Sequence, residues 1–160
     1  MNYSKLIRQF FGILITIMLV SCDKHSIGLP AEKPLDLKIE YRVDGGMSDY
    51  KVNILVHHDS CTYYKRENGQ IMNKVFVLSS DETNSIYNLL KKNNFDNISF
   101  NQEKGTVYDR GGITVSVSCD KKSIIVSDAQ SNFVKEEWYE KWRMVTDGID
   151  NIIRKKIEVI

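Results

Sequence analysis

The chain is poor in the residues that most often announce a function. Three histidines in 160 residues leave general acid–base chemistry resting on carboxylates, and no pair of them is singled out. Two prolines and nine glycines exclude proline-rich and collagen-like chains. A formal charge of +1 lacks the strong positive field of a nucleic-acid binder. The longest apolar run, Phe10 to Val20, is eleven residues broken by Gly12 and Thr16. A bilayer core needs about 20. What remains is an ordinary globular composition, 42% apolar and 27% charged, with length for one domain.

The N-terminus carries an address. Lys5 and Arg8 form a positive n-region with no acid nearby, and the run from Phe10 has the length of a secretory h-region. It ends at Leu19-Val20-Ser21-Cys22. This resembles the lipobox of bacterial lipoproteins: an aliphatic residue, a tolerant position, a small residue and a cysteine. The resemblance implies diacylglycerol on the Cys22 sulfur, cleavage after Ser21, and acylation (palmitate among the chains) of the new amino group. Two or three chains make a lasting anchor where one holds only marginally. The expected location is the cell envelope, with the domain outside the cytoplasm and held to a membrane it does not cross.

Removal of residues 1–21 takes out Lys5 and Arg8 and no acid, leaving 20 bases against 21 acids. The mature body is near neutral and has no reason to seek nucleic acid. Residues 22–34 read as the lipidated cysteine and a flexible tether, since they lack periodicity and hold both prolines. Residues 35–160 then form a single domain.

Within it, Leu35, Leu37, Ile39, Tyr41 and Val43 alternate with polar residues, the pattern of a half-buried strand. Asp44-Gly45-Gly46 is a turn, and alternation resumes at Val52, Ile54 and Val56. Runs Cys61–Lys65 and Ile71–Leu78 flank Asn68-Gly69, a pair suited to a type I′ hairpin turn. Ser79 with Glu82 three residues on fits a capping box, and Ile86, Leu89 and Leu90 give the helix its apolar stripe. Ile113 to Cys119 and Ile124 to Val126 form a second hairpin across Asp120-Lys121-Lys122. A closing helix runs from about Val134 to Lys156, with Gly148 marking a break or close packing. The expectation is an α+β fold, a mostly antiparallel sheet of about 5–6 strands with two helices on one face.

The order from Leu78-Ser79-Ser80-Asp81-Glu82 through Phe95 and Tyr108-Asp109 to the hairpin and last helix, over roughly residues 50–156, resembles small lipid-anchored α+β modules and emfourin-type metallopeptidase inhibitors. That resemblance implies the same fold and, as one activity, inhibition of a secreted enzyme.

The remaining candidates are few. His57-His58-Asp59-Ser60-Cys61 is the one cluster of metal-type ligands, but neighbours on a strand point to opposite faces and no second ligand pair exists. No metal or other cofactor is expected. Cys61 and Cys119 are an even pair in an exported chain and a candidate disulfide, but Cys119 is in phase with the inward Ile113, Val115 and Val117, which favours two separate thiols. Asp109-Arg110 before Gly111-Gly112 has the composition of a turn as much as of a catalytic pair. Trp138 and Trp142 share a core stripe; Tyr139 lies off it, and Tyr63 and Tyr64 must face opposite ways, so Tyr63, Tyr64 and Tyr139 are the candidate interface residues. The residues favour a non-catalytic binding or accessory module meeting an envelope protein. An inhibitor or immunity-type protein is the alternative, and a small envelope hydrolase a third reading.

Overall fold

The computed structural model describes residues 28–103 and 109–160; the signal segment, Cys22 and Tyr108 lie outside the described residues. In chain order the elements are β1 (Lys38–Asp44), β2 (Lys51–His57), β3 (Ser60–Glu67), β4 (Gln70–Val77), α1 (Ser80–Lys92), β5 (Phe100–Gln102), β6 (Gly112–Cys119), β7 (Lys122–Asp128), β8 (Asn132–Val134) and α2 (Glu136–Val159). A six-stranded antiparallel sheet has the order β4-β3-β2-β1-β6-β7, and β5 pairs with β8 beside it. This is the expected α+β architecture. The first strand is the middle of the sheet because β6 returns to its free edge after α1.

Local chemistry accounts for the turns. Asn68 and Gly69 both have positive φ (51° and 75°), as a two-residue type I′ hairpin demands. Asp120 and Lys121 adopt the same left-handed pair at 48° and 60°, and the Asp120 amide donates to the Asp36 carboxylate at 2.8 Å. The capping box forms: Ser79 N donates to Glu82 Oε2 at 2.6 Å and Glu82 N donates to Ser79 Oγ at 3.1 Å. Both hydrogen bonds satisfy amides a helix start would leave unpaired.

Period-two alternation puts Ile39, Tyr41, Val52, Ile54, Val56, Cys61, Val115, Val117 and Val126 on one face of the sheet. There they share a core with Ile86 and Leu90 of α1 and Trp142, Val145, Ile149 and Ile153 of α2. Phe95 and Ile98, in the turn after α1, are buried in it too. Gly148 does not break α2. A Cβ at that position would meet Leu89 Cδ1 at 2.5 Å, so the glycine lets the two helices close on each other.

Two segments depart from the sequence reading. The strand begins at Lys38 rather than Leu35, and Leu35 is 91% exposed. Residues 29–33, read as tether, are docked along α1. Leu29 is buried, its amide donates to Asp96 and its carbonyl accepts from Lys91 Nζ at 2.7 Å. The Pro30 carbonyl accepts from Tyr87 Oη at 2.7 Å, and Lys33 Nζ donates to Thr83 Oγ1 at 2.7 Å. Among the described residues the packed chain therefore starts at Leu29.

Candidate functional site

The helices cover one face of the sheet and leave the other open. Register places the open-face side chains in four rows perpendicular to the strands. At the end nearest the β2–β3 turn the row from β4 to β7 reads Val77, Ser60, His57, Lys38, Ser118, Ser123. The next is Val75, Thr62, Leu55, Glu40, Ser116, Ile125. The third, Asn73, Tyr64, Asn53, Arg42, Thr114, Ser127, is polar on every strand, and the last runs Ile71, Arg66, Lys51, Asp44, Gly112. Four large apolar side chains lie exposed on this face, and three of them, Ile71, Val75 and Val77, project from the edge strand β4. An edge strand with that composition is a ready partner-binding surface unless it is guarded. Its one charge, Lys74, points to the other face and donates to the Ile157 carbonyl at 3.3 Å.

The last two rows border a cleft of about 380 Å³. Arg42, Asn53 and Tyr64 line one side, Gln130 and Asn132 the other, with Thr114 and Ser127 between them. The Thr114 and Ser127 hydroxyls bond to each other at 2.9 Å, and Ser127 is buried although it belongs to the open face. Gly112 sits at this end because a Cβ there would fall 1.9 Å from the Asp128 carbonyl oxygen. Two ion pairs flank the cleft. Arg42 donates through Nε and Nη2 to both Glu40 oxygens at 2.9 Å, and Lys51 lies 3.9 Å from Asp44. The side-chain amides of Asn53, Gln130 and Asn132 and the Tyr64 hydroxyl have no hydrogen-bond partner among the described residues.

Arg110 holds the far wall in place. Its Nη2 donates to Asp128 Oδ1 at 2.7 Å, and Nη1 donates to the carbonyls of Asn132 at 2.7 Å and Gln130 at 3.3 Å. The guanidinium also stacks 4.0 Å from the Phe133 ring centroid. The Asp109-Arg110 pair considered as a catalytic candidate is thus split, with Arg110 spent on fixing residues 128–133 and Asp109 exposed with a φ of 70°.

The other sequence candidates fall as follows. Tyr63 is a correction: it faces the helices and is buried, while Tyr64, its neighbour, is the half-exposed one on the open face. Tyr139 is exposed on α2, on the opposite side of the molecule from the open sheet face, so the three tyrosines do not form one surface. Trp142 is buried and Trp138 partly so, under Lys141 Nζ at 4.9 Å. His57 and His58 are exposed at the β2–β3 turn, with ring centroids 4.2 Å apart, and no three metal-type ligands converge among the described residues.

Cys61 and Cys119 are both buried free thiols, so the candidate disulfide is corrected as well. Cys61 is on β3 and Cys119 on β6, with β2 and β1 between them. Three strand spacings amount to roughly 14 Å, twice the limit of about 7 Å between bridged Cα atoms. Burial pushes the Cys61 thiol up to about 12 and, aided by Asp120 and Asp36, raises that of Cys119.

Among the described residues no helix is long and apolar enough to cross a membrane. Comparison of the chain with known protein families, with curated proteins and with solved structures gives no match.

Proposed function

We propose that the chain is a lipid-anchored, non-catalytic binding or accessory module of the bacterial cell envelope, and that the uncovered sheet face is its working surface. The observation that carries this reading is the contrast between the faces. One is closed by two helices over a continuous core, whereas the other keeps Ile71, Val75 and Val77 in solvent together along β4, with Ile125 alone on the far strand β7 and a polar cleft at one end. Monomers rarely leave such a cluster exposed without an interaction to use it. The anchor is supported by the sequence from Lys5 to Cys22.

Two experiments test the two halves. Palmitate labelling in a bacterial host should mark the wild type and not Cys22→Ser, which should also keep its signal; a labelled and processed variant would end the lipoprotein reading. A photo-crosslinker at Val75 should capture an envelope protein that the same probe at Glu137, exposed on α2, does not. Equal capture from both positions would refute the assignment of the face. A secreted hydrolase captured at Val75 and inactive in the complex would replace the accessory role by that of an inhibitor.

A further inference from the structure

The cleft at the far end of the open face has the chemistry of a ligand site, and we propose that it binds an uncharged polyhydroxylated ligand, a saccharide unit. Its volume of about 380 Å³ falls within the range of small-molecule sites. The polar groups that converge on it are of one kind. Asn53, Gln130 and Asn132 each offer both a carbonyl acceptor and an NH₂ donor, and the Tyr64 phenol can do either. Sugar hydroxyls also donate and accept at once, so carboxamides are their natural counterparts. These four side chains have no protein partner among the described residues, which leaves their hydrogen bonds for a ligand or for water.

Charge argues against the competing classes. Arg42 is neutralised by the bidentate Glu40 and Lys51 by the nearby Asp44, so the cleft has no surplus positive charge for a phosphate or carboxylate. The cleft lies over β3, β2, β1 and β6, each paired on both sides, and reaches a sheet edge only at Ser127 of β7, so little backbone edge is offered to a peptide there. The half-buried Tyr64 ring, held between Asn53 and Asn73 in the register, supplies the one aromatic face on which sugar C–H groups could stack.

The wall opposite is preorganised. The Arg110 bonds to the carbonyls of Gln130 and Asn132 fix the backbone that carries two of the amides. A fixed wall reduces the ordering cost of binding.

This inference deepens the binding-module reading and rests on it only in taking the open face to be free. The test uses the purified full chain in detergent on an array of immobilised neutral and acidic oligosaccharides, including cell-wall fragments, followed by titration of the strongest neutral hit. The expected result is saturable binding that weakens at least tenfold in Asn53→Ala and in Tyr64→Ala and is unchanged in Glu137→Ala, which alters an exposed residue of α2. Asn53 makes no side-chain bond among the described residues and is exposed, so its loss should leave the fold intact. No binding anywhere on the array, binding confined to acidic glycans, or equal affinity in the two cleft variants would overturn the proposal. A protein captured at Val75 without glycan binding would sink the cleft and leave the module standing. Glycan binding without capture would do the reverse for the protein partner.

Discussion

The guanidinium of Arg110 gives the sharpest energetic test. It makes a 2.7 Å bond to Asp128, whose side chain is 22% exposed, a second 2.7 Å bond to the Asn132 carbonyl, a longer one to Gln130 and a ring contact with Phe133. A surface ion pair contributes about 0–1 kcal/mol and a hydrogen bond to a charged group about 1.5–3. Arg110 lies between those limits, at 29% side-chain exposure, and the four contacts share one group and so do not add. Arg110→Ala should therefore cost about 2–3 kcal/mol, a fall of roughly 7–11 °C in Tm for a domain of this size. Asp128→Asn keeps an acceptor for the Val134 amide but loses the charge, and should cost about 1 kcal/mol. The double variant then reads the coupling directly. Denaturant unfolding of the four proteins should give an interaction energy near 1 kcal/mol, and one below about 0.3 kcal/mol would refute the account of Arg110 as the staple of residues 128–133.

Gly46 and Gly69 separate backbone conformation from crowding. Both have positive φ, but a Cβ on Gly46 would lie 2.1 Å from the Asp109 carbonyl oxygen whereas one on Gly69 meets nothing. Gly69→Ala should cost about 1 kcal/mol and Gly46→Ala at least 2, checked by thermal unfolding. Native protein should react with a thiol reagent at pH 8 at least a hundredfold more slowly than unfolded protein at both Cys61 and Cys119, and should release two thiols on unfolding without reductant; a bridged pair would release none. Ser79→Ala should cost about 1 kcal/mol by removing the cap. The Ser79 backbone amide, helped by Lys156, holds the Glu82 carboxyl below the usual range, so its contribution is present above the unfolded carboxylate pKa and lost as pH falls through the folded value. The stability gap between wild type and Glu82→Gln should thus close between about pH 5 and 3 in acid titrations followed by circular dichroism.

Much of this fold is legible in the chain because its signals are local. Alternation from Leu35 to Val43, the Asn68-Gly69 turn and the Ser79–Glu82 box each depend on residues within a few positions, and each element forms there, the strand only from Lys38 on. The centre of the sheet is another matter. Nothing in β1 says that β6 will return to its free edge, because that pairing joins residues about 75 positions apart. The cleft suffers from the same distance, since Tyr64, Asn53, Arg42 and Asn132 become neighbours only through register and through the fold of residues 129–132. The docked segment was hidden for a different reason. It binds α1 largely through the carbonyls of Leu29 and Pro30, groups that every residue carries and no side-chain pattern reveals. Strands β5 and β8, three residues each, are too short to show a period.

That docked segment also decides how the protein meets mechanical load. A pull on the chain at Leu29 loads the bonds to Asp96 and Lys91, to Tyr87 and to Thr83, which stand one behind another along α1 and the turn after it. Being in series, they take the load in turn rather than together. Freed residues 29–37 would extend by up to about 30 Å before tension arrives at Lys38. There the geometry changes, because β1 is bonded along its length to β2 and β6 and must be sheared from both at once. The strap can thus lengthen by that distance before load reaches the sheet, and the open face and its cleft keep their shape while it does.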